Sequence, residues 1–464
     1  MTVRMGMMIL IALQAVTAAA APLRQHPANP RYFLYRGKPA VIVGSGEHYG
    51  AVLNLDFDYV RYLDELSRSG LNHTRTFAGA YCETPGNFQI AGNTLAPAEG
   101  RFIAPWARSD RPGYPGGGAR FDLSRCDPAY FRRLKDFLAR ASRRDIIVEL
   151  NLFCPFYDES MWRLSPMNEA CNINGIGKVK RTDVYTLDRN GGLLAVQEAM
   201  TRKIVTEVNG FDNLYFEICN EPYFGGVTME WQRRIADVIL DTEKGLAKRH
   251  LISMNIANGS QAVRDPHPGV SILNFHYAHP PAAVGANERL GRIIGDNETG
   301  FRGTGDTTYR MEAWEFILAG GGLFSHLDYS FAVGHEDGSF VYPQSQPGGG
   351  NRGFRAQMRI LKDFIHRFDF LRMKPYQAAV AATPEGTRAA VLAEPGRQYA
   401  VYLFGSGAGP LKLEAPAGRY AATWVDTLTG ARTTQPERTH AGGPIAFDVP
   451  DHADDIALEL RAVR

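Results

Sequence analysis

The sequence has little of what several function classes need. Its five cysteines, Cys82, Cys126, Cys154, Cys171 and Cys219, form no Cys-x-x-Cys pair, so a thiolate zinc site has no local frame. Charge of one sign is missing as well. Lys and Arg total 51 against 49 Asp and Glu, a net charge of +2, which gives no electrostatic grip on nucleic acid or on an anionic membrane. No Gly-x-Gly-x-x-Gly follows an apolar strand, so a dinucleotide-binding sheet lacks its fingerprint. Solenoid-type repeats are absent. After the N-terminus no apolar run approaches the roughly 20 residues that span a bilayer.

What is present is an ordinary globular composition, 44% apolar and 22% charged. At 464 residues the chain is long enough for one large domain and a small one. Arg4, the largely apolar Met7 to Val16 and the small residues Thr17 to Ala21 read as a secretory signal peptide over residues 1–21. The mature protein is therefore expected to be exported, periplasmic or extracellular, and to leave no membrane anchor. Export permits disulfides, and Cys154 with Cys171, and Cys82 with Cys126, are the pairings that loop positions suggest. Cys219 is expected as a buried thiol inside a strand.

Beyond a small hairpin at Tyr32 to Pro39, apolar strands and amphipathic helices alternate. Strands are expected at Ala40 to Val43, Leu71 to Phe77, Ile146 to Phe153, Tyr215 to Cys219, Leu251 to Asn255, Ser271 to Tyr277, Arg292 to Gly295 and Leu323 to Ser330. Asp56 is placed to cap the first helix, and Asp127 the second. Eight strand-then-helix units predict an α/β fold, an eight-fold (β/α) barrel over residues 22–373. Near Lys374-Pro375 the pattern changes to short alternating strands, which predict a small antiparallel β-sandwich over residues 374–464.

The chemistry is expected at the C-terminal ends of the barrel strands. The fourth strand runs into Asn220-Glu221-Pro222, and Pro stops it there. The seventh leads into Asp296-Asn297-Glu298. Two strand-end glutamates suit glycoside hydrolysis, in which one carboxyl moves protons and the other attacks the sugar or activates water. Strand parity sets Glu217 and Glu221 on one side, with Glu217 deeper. A carboxylate at that depth needs a partner, so Glu217 and Glu149 are read as structural, held by an interior Arg. Arg75 is placed to pair with Glu298, and His276 and Tyr277 to donate to a carboxylate. Glu47, His48, Asn151, Asp328, Tyr329 and Trp162 complete the candidate sugar-binding set. His276, His279, His326, His335 and Glu336 match no metal-ligand spacing, so no metal and no cofactor is expected.

These residues resemble clan A of the glycoside hydrolases, the retaining β/α-barrel families that include many cellulase-like enzymes. The likeness covers roughly residues 30–372. It rests on Asn220-Glu221-Pro222, Arg75, His276, Tyr277 and Glu298 in the corresponding strand order. The resemblance implies Glu221 as acid/base, Glu298 as nucleophile, Asn220 at the sugar 2-hydroxyl, and Arg75 and Tyr277 orienting Glu298. It implies an oligo- or polysaccharide substrate. Two departures stand out. His276 and Tyr277 are adjacent, so parity turns only one inward unless the strand bulges. The eighth-strand Trp is missing, with Tyr329 or Phe331 in its place. Two alternatives stay open: a non-catalytic carbohydrate-binding barrel, and a metal-dependent hydrolase.

Overall fold

The computed structural model describes residues 21–463. The expected leader, residues 1–21, lies outside them except for its last residue. Eight parallel strands form the central sheet: β1 (Ile42–Gly46), β2 (His73–Phe77), β3 (Ile147–Phe153), β4 (Leu214–Cys219), β5 (Ile252–Asn258), β6 (Ile272–His276), β7 (Ile293–Glu298) and β8 (Leu323–Leu327). Their order around the sheet is β1-β8-β7-β6-β5-β4-β3-β2. All but β5 are buried from end to end, as parallel strands covered by helices must be.

The ring closes between β1 and β2 without a ladder. Asn72 bridges the seam: Val43 N donates to its Oδ1 at 2.9 Å, and its Nδ2 donates to Val41 O at 3.1 Å. A side-chain amide here replaces the backbone pairs that a twisted eight-stranded ring leaves unmade. The helices of more than one turn are α1 (Tyr59–Arg68), α2 (Pro128–Ser142), α3 (Leu193–Val208), α4 (Met229–Lys244), α5 (Ala282–Asn287), α6 (Asp306–Leu318) and α7 (Arg352–His366). Asp58, not Asp56, caps α1 by accepting from the amides of Val60 and Arg61. Asp127 caps α2 as expected, with Pro at the first helical position. The fifth unit lacks its helix, because residues 259–271 return from β5 to β6 as irregular chain.

From Lys374 onward the chain forms a six-stranded and a three-stranded antiparallel sheet. Tyr399, Val401 and Leu403 of the larger sheet pack with Leu411, Leu413 and Phe447 of the smaller. The other face of the larger sheet rests on the barrel. Trp314 of α6 stacks on Tyr402 with ring centroids 5.2 Å apart and planes at 12°. Beneath them, Arg310 Nε donates to both oxygens of the buried Asp455, at 3.0 and 2.9 Å. Tyr402 and Thr427 donate to the same carboxylate.

All five cysteines are free thiols, and Cys126 alone among them is exposed. The expected pairings fail because loop proximity in sequence is not proximity in space. Cys154 lies at the end of β3 beside Tyr157, while Cys171 donates its thiol to Arg163 O at 2.9 Å.

Candidate active site

Three residues just past the ends of β1, β4 and β6 hold left-handed backbone: Tyr49 (φ 62°), Glu221 (φ 34°) and Tyr277 (φ 53°). Each costs about 1–2 kcal/mol relative to ordinary backbone, and such outliers gather where side chains must be aimed. All three side chains converge on one place. Tyr49 Oη donates to Glu298 Oε2 at 2.8 Å, and Tyr277 Oη to Glu298 Oε1 at 2.6 Å. Glu221 faces them across the mouth.

This resolves the parity problem. Alternation ends at Cys219, so Asn220 and Glu221 both turn toward the barrel axis. On the far side, Phe275 pairs with Asp296 but His276 with Glu298, so β7 carries one extra residue against β6. That bulge re-aims Glu298. His276 and Tyr277 both reach it, His276 Nδ1 lying 3.4 Å from Glu298 Oε1 and 3.2 Å from Glu221 Oε1.

Arg75 organises the floor. Its Nη1 donates to Glu298 Oε2 at 3.1 Å, and its Nη2 to Asn220 Oδ1 at 2.7 Å and to Glu217. Its Nε lies 3.4 Å from Glu149. Glu149 and Glu217 are thus the interior carboxylates that strand parity placed below the mouth. Nδ2 of Asn297 joins them, at 2.8 and 3.0 Å. These acid groups share one guanidinium, and burial pushes Glu217 up to about 8 against the pull of Arg75.

The two mouth carboxylates have different surroundings. Burial alone would raise Glu298, but His276, Arg75 and Tyr277 hold it well below the usual carboxylate range. Burial likewise works against a charged His276, yet Glu298 and Glu221 push it up to about 10, so it is an imidazolium at neutral pH. Glu221 is contacted by phenols: Tyr157 Oη donates to its Oε2 at 2.6 Å and Tyr223 Oη to its Oε1 at 3.3 Å. Among the described residues, Glu221, His276 and Glu298 also form the cluster whose ligand-type atoms lie within 4.8 Å of one another, the one place a metal ion would find three donors.

The mouth opens into a cavity of about 420 Å³. Glu221, Glu298, Asn220, Tyr277 and His48 line it, and Arg75 and His276 lie buried against them. Tyr329 stands behind His48, ring centroids 6.0 Å apart, and is the eighth-strand aromatic nearest the site. Phe331 instead packs edge-on against Tyr62 at 4.8 Å, beneath Arg355.

Four expected sugar contacts lie elsewhere. Glu47 is buried, with its carboxylate accepting from the amides of Gly50 and Ala51 at 2.9 and 3.0 Å and from Thr94; it ties down the loop after β1. Asp328 is fully engaged by Arg355 at 2.6 Å, Ser45 and Ser330. Trp162 is 3% exposed, donates to Val179 O and packs on Phe156, so it anchors its loop. Asn151 is buried on β3 outside the cavity lining.

Sequence reasoning missed Tyr49, Tyr157 and Tyr223 as partners of the carboxylates, and missed Glu83, a third carboxylate on the cavity wall. No local spacing marks them, since each acts through a residue far away in the chain.

No known family model matches this sequence, and no curated protein sequence does. Solved structures do share the fold. A protein of Bacteroides vulgatus ATCC 8482 described as a candidate glycoside hydrolase superposes with a TM-score of 0.68 at 14% identity, over 96% of this chain and 83% of that one. A glycoside hydrolase of family 5 from the same bacterium gives 0.66 at 15% identity, over 95% and 93%. A further structure described as a glycoside hydrolase gives 0.65 at 15% identity, over 95% and 97%. The chain therefore has a (β/α)8 barrel with a C-terminal antiparallel sandwich, the fold of these structures over nearly its whole length.

Proposed function

We propose that the protein is an exported, retaining glycoside hydrolase acting on β-linked glycans or glycosides. The reading rests on one observation above others: an oxygen of Glu221 and an oxygen of Glu298 lie within 4.8 Å of each other. Retaining enzymes hold their carboxyls roughly 5–5.5 Å apart, whereas inverting enzymes leave about 6.5–9.5 Å for a water. The shared fold and the paired environments support the same assignment.

Glu298 is the nucleophile. Two cations and two phenols hold it ionised and fix both of its oxygens, which pre-pays the orientation of the attacking atom. Glu221 is the acid/base. Its proton passes to the glycosidic oxygen as the bond from that oxygen to the anomeric carbon breaks and Glu298 bonds to the same carbon. Water then gives a proton to Glu221, adds to the anomeric carbon and displaces Glu298. Asn220, fixed by Arg75 and by donation to Tyr157 Oη at 2.9 Å, is set beside both carboxylates for the sugar 2-hydroxyl.

The test is hydrolysis of a panel of aryl β-glycosides followed by NMR of the first-formed sugar. Retention of the anomeric configuration, and loss of all turnover in Glu298→Ala, are expected. Inverted product, or normal activity in that variant, would sink the assignment.

A further inference from the structure

His48 and Glu83 line the cavity without any part in the displacement chemistry. His48 is 8% exposed, and its Nδ1 has no hydrogen-bond partner. A buried imidazole nitrogen left unmade is costly unless a ligand completes it. Its Nε2 lies 3.5 Å from Oε1 of Glu83, which is 4% exposed. Glu83 is held firmly: Tyr81 Oη donates to Oε1 at 2.9 Å and Asn93 Nδ2 to Oε2 at 2.6 Å. Each oxygen keeps a lone pair for a further donor. An acceptor pair beside a donor-acceptor ring is the chemistry that binds neighbouring hydroxyls.

The two sides of the cavity differ. His48 and Glu83 come from the segments after β1 and β2, beside Tyr49 and Glu298. Behind them Tyr81, Thr94 and Leu95 are buried, so that wall is closed. On the Glu221 side, Phe88 and Phe224 pack on Tyr157 and Tyr223 packs on Phe224, and the three are 39%, 43% and 37% exposed in that order, while Phe301 against Tyr277 is the one exposed aromatic of the lining on the Glu298 side, at 38%. The leaving oxygen must meet Glu221, so the leaving group exits over the open aromatic rim on the Glu221 side.

Building on the glycosidase reading, we infer that His48 and Glu83 form the closed end of the sugar pocket, binding adjacent hydroxyls of one uncharged, non-reducing terminal sugar. The enzyme therefore removes single sugars from chain ends. The Glu83 carboxylate faces the bound ring and repels a sugar that carries its own carboxylate.

The test uses the wild-type protein with the best aryl glycoside of the panel, its β-linked oligosaccharides, and the same glycoside with hydroxyls 4 and 6 tied in a benzylidene ring. The free monosaccharide should be the only sugar released at early times. The blocked glycoside should be cleaved at least 100-fold more slowly. Glu83→Gln should lose at least tenfold in kcat/KM on the aryl glycoside, and should accept the matching aryl uronide relatively better. Internal fragments at early times, or equal cleavage of the blocked glycoside, would overturn the inference and leave the glycosidase reading standing. No turnover of any glycoside would overturn both. The wild-type experiments decide the matter even where Glu83→Gln fails to fold.

Discussion

Tyr277 Oη lies 2.6 Å from Oε1 of Glu298, and the same oxygen is 3.4 Å from Nδ1 of His276, the residue immediately before Tyr277 in the chain. Two neighbours in sequence reach one atom because Tyr277 leaves the strand in left-handed backbone and β7 bulges opposite it. Glu298 is thereby gripped from one side by the end of β6 and from the other by Tyr49 and Arg75.

Removing that grip should change chemistry more than stability. Tyr277→Phe deletes one neutral hydrogen-bond donor, worth about 0.5–1.5 kcal/mol to folding, or more where the partner is charged. With one donor fewer, Glu298 should titrate higher. The acid limb of kcat/KM against pH should move to higher pH in Tyr277→Phe, with the melting temperature little altered. An unmoved limb would show that Tyr277 does not tune Glu298.

Arg75 should be far less dispensable. It contacts Glu298, Glu217 and Glu149 at once, all buried. Arg75→Met leaves these carboxylates without their guanidinium, and breaking a buried pair costs about 3–5 kcal/mol. Denaturant titration should show a loss of at least that size. Wild-type stability in the variant would mean that the interior charges are neutral in the native protein.

His276 gives a pH signature. Its folded pKa, about 10, lies above the ordinary histidine value, so its contribution is fully present below that ordinary value. It fades as pH rises through about 10. Wild-type melting temperature should therefore fall between pH 7 and 10, and His276→Gln should be less stable at pH 7 but flatter across that range. Parallel curves would remove His276 from the list of charged groups.

Metal removal separates the hydrolase readings. Among the described residues, Glu221, His276 and Glu298 are the cluster that could hold an ion, but the displacement described above needs none. Dialysis against EDTA should leave aryl glycoside turnover within about twofold. Loss of activity restored by zinc would favour a metal-assisted hydrolysis.

The sandwich should stabilise the barrel through one buried pair. Arg310 of α6 meets Asp455 of the last strand at 2.9 Å, and Trp314 stacks on Tyr402 beside it. Asp455→Ala leaves Arg310 only the half-exposed Asp454, at 3.3 Å, and should cost about 3–5 kcal/mol. A change under ~1 kcal/mol in chemical denaturation would show that the two sheets and the barrel unfold independently.

The sequence by itself carried the eight strands, because continuous apolar runs ending at Pro, Gly or Asp are local signals of buried strands. It carried Arg75, Asn220, Glu221 and Glu298 too, since each stands at a strand end, where topology leaves side chains to face the barrel mouth. The depth of Glu217 followed from a period of two. What the tertiary structure decided depends on contacts between distant residues. Glu47 and Asp328 stand near strand ends as Glu221 does, yet Thr94 and Arg355 claim them, the latter from a helix on the outside of the barrel. Tyr49 and Tyr157 became partners of the carboxylates because left-handed backbone and a loop fold aim them there. Glu83 reached the cavity wall from an excursion without periodicity. Alternation predicts facing only while the strand lasts, and here the site begins where the strands stop.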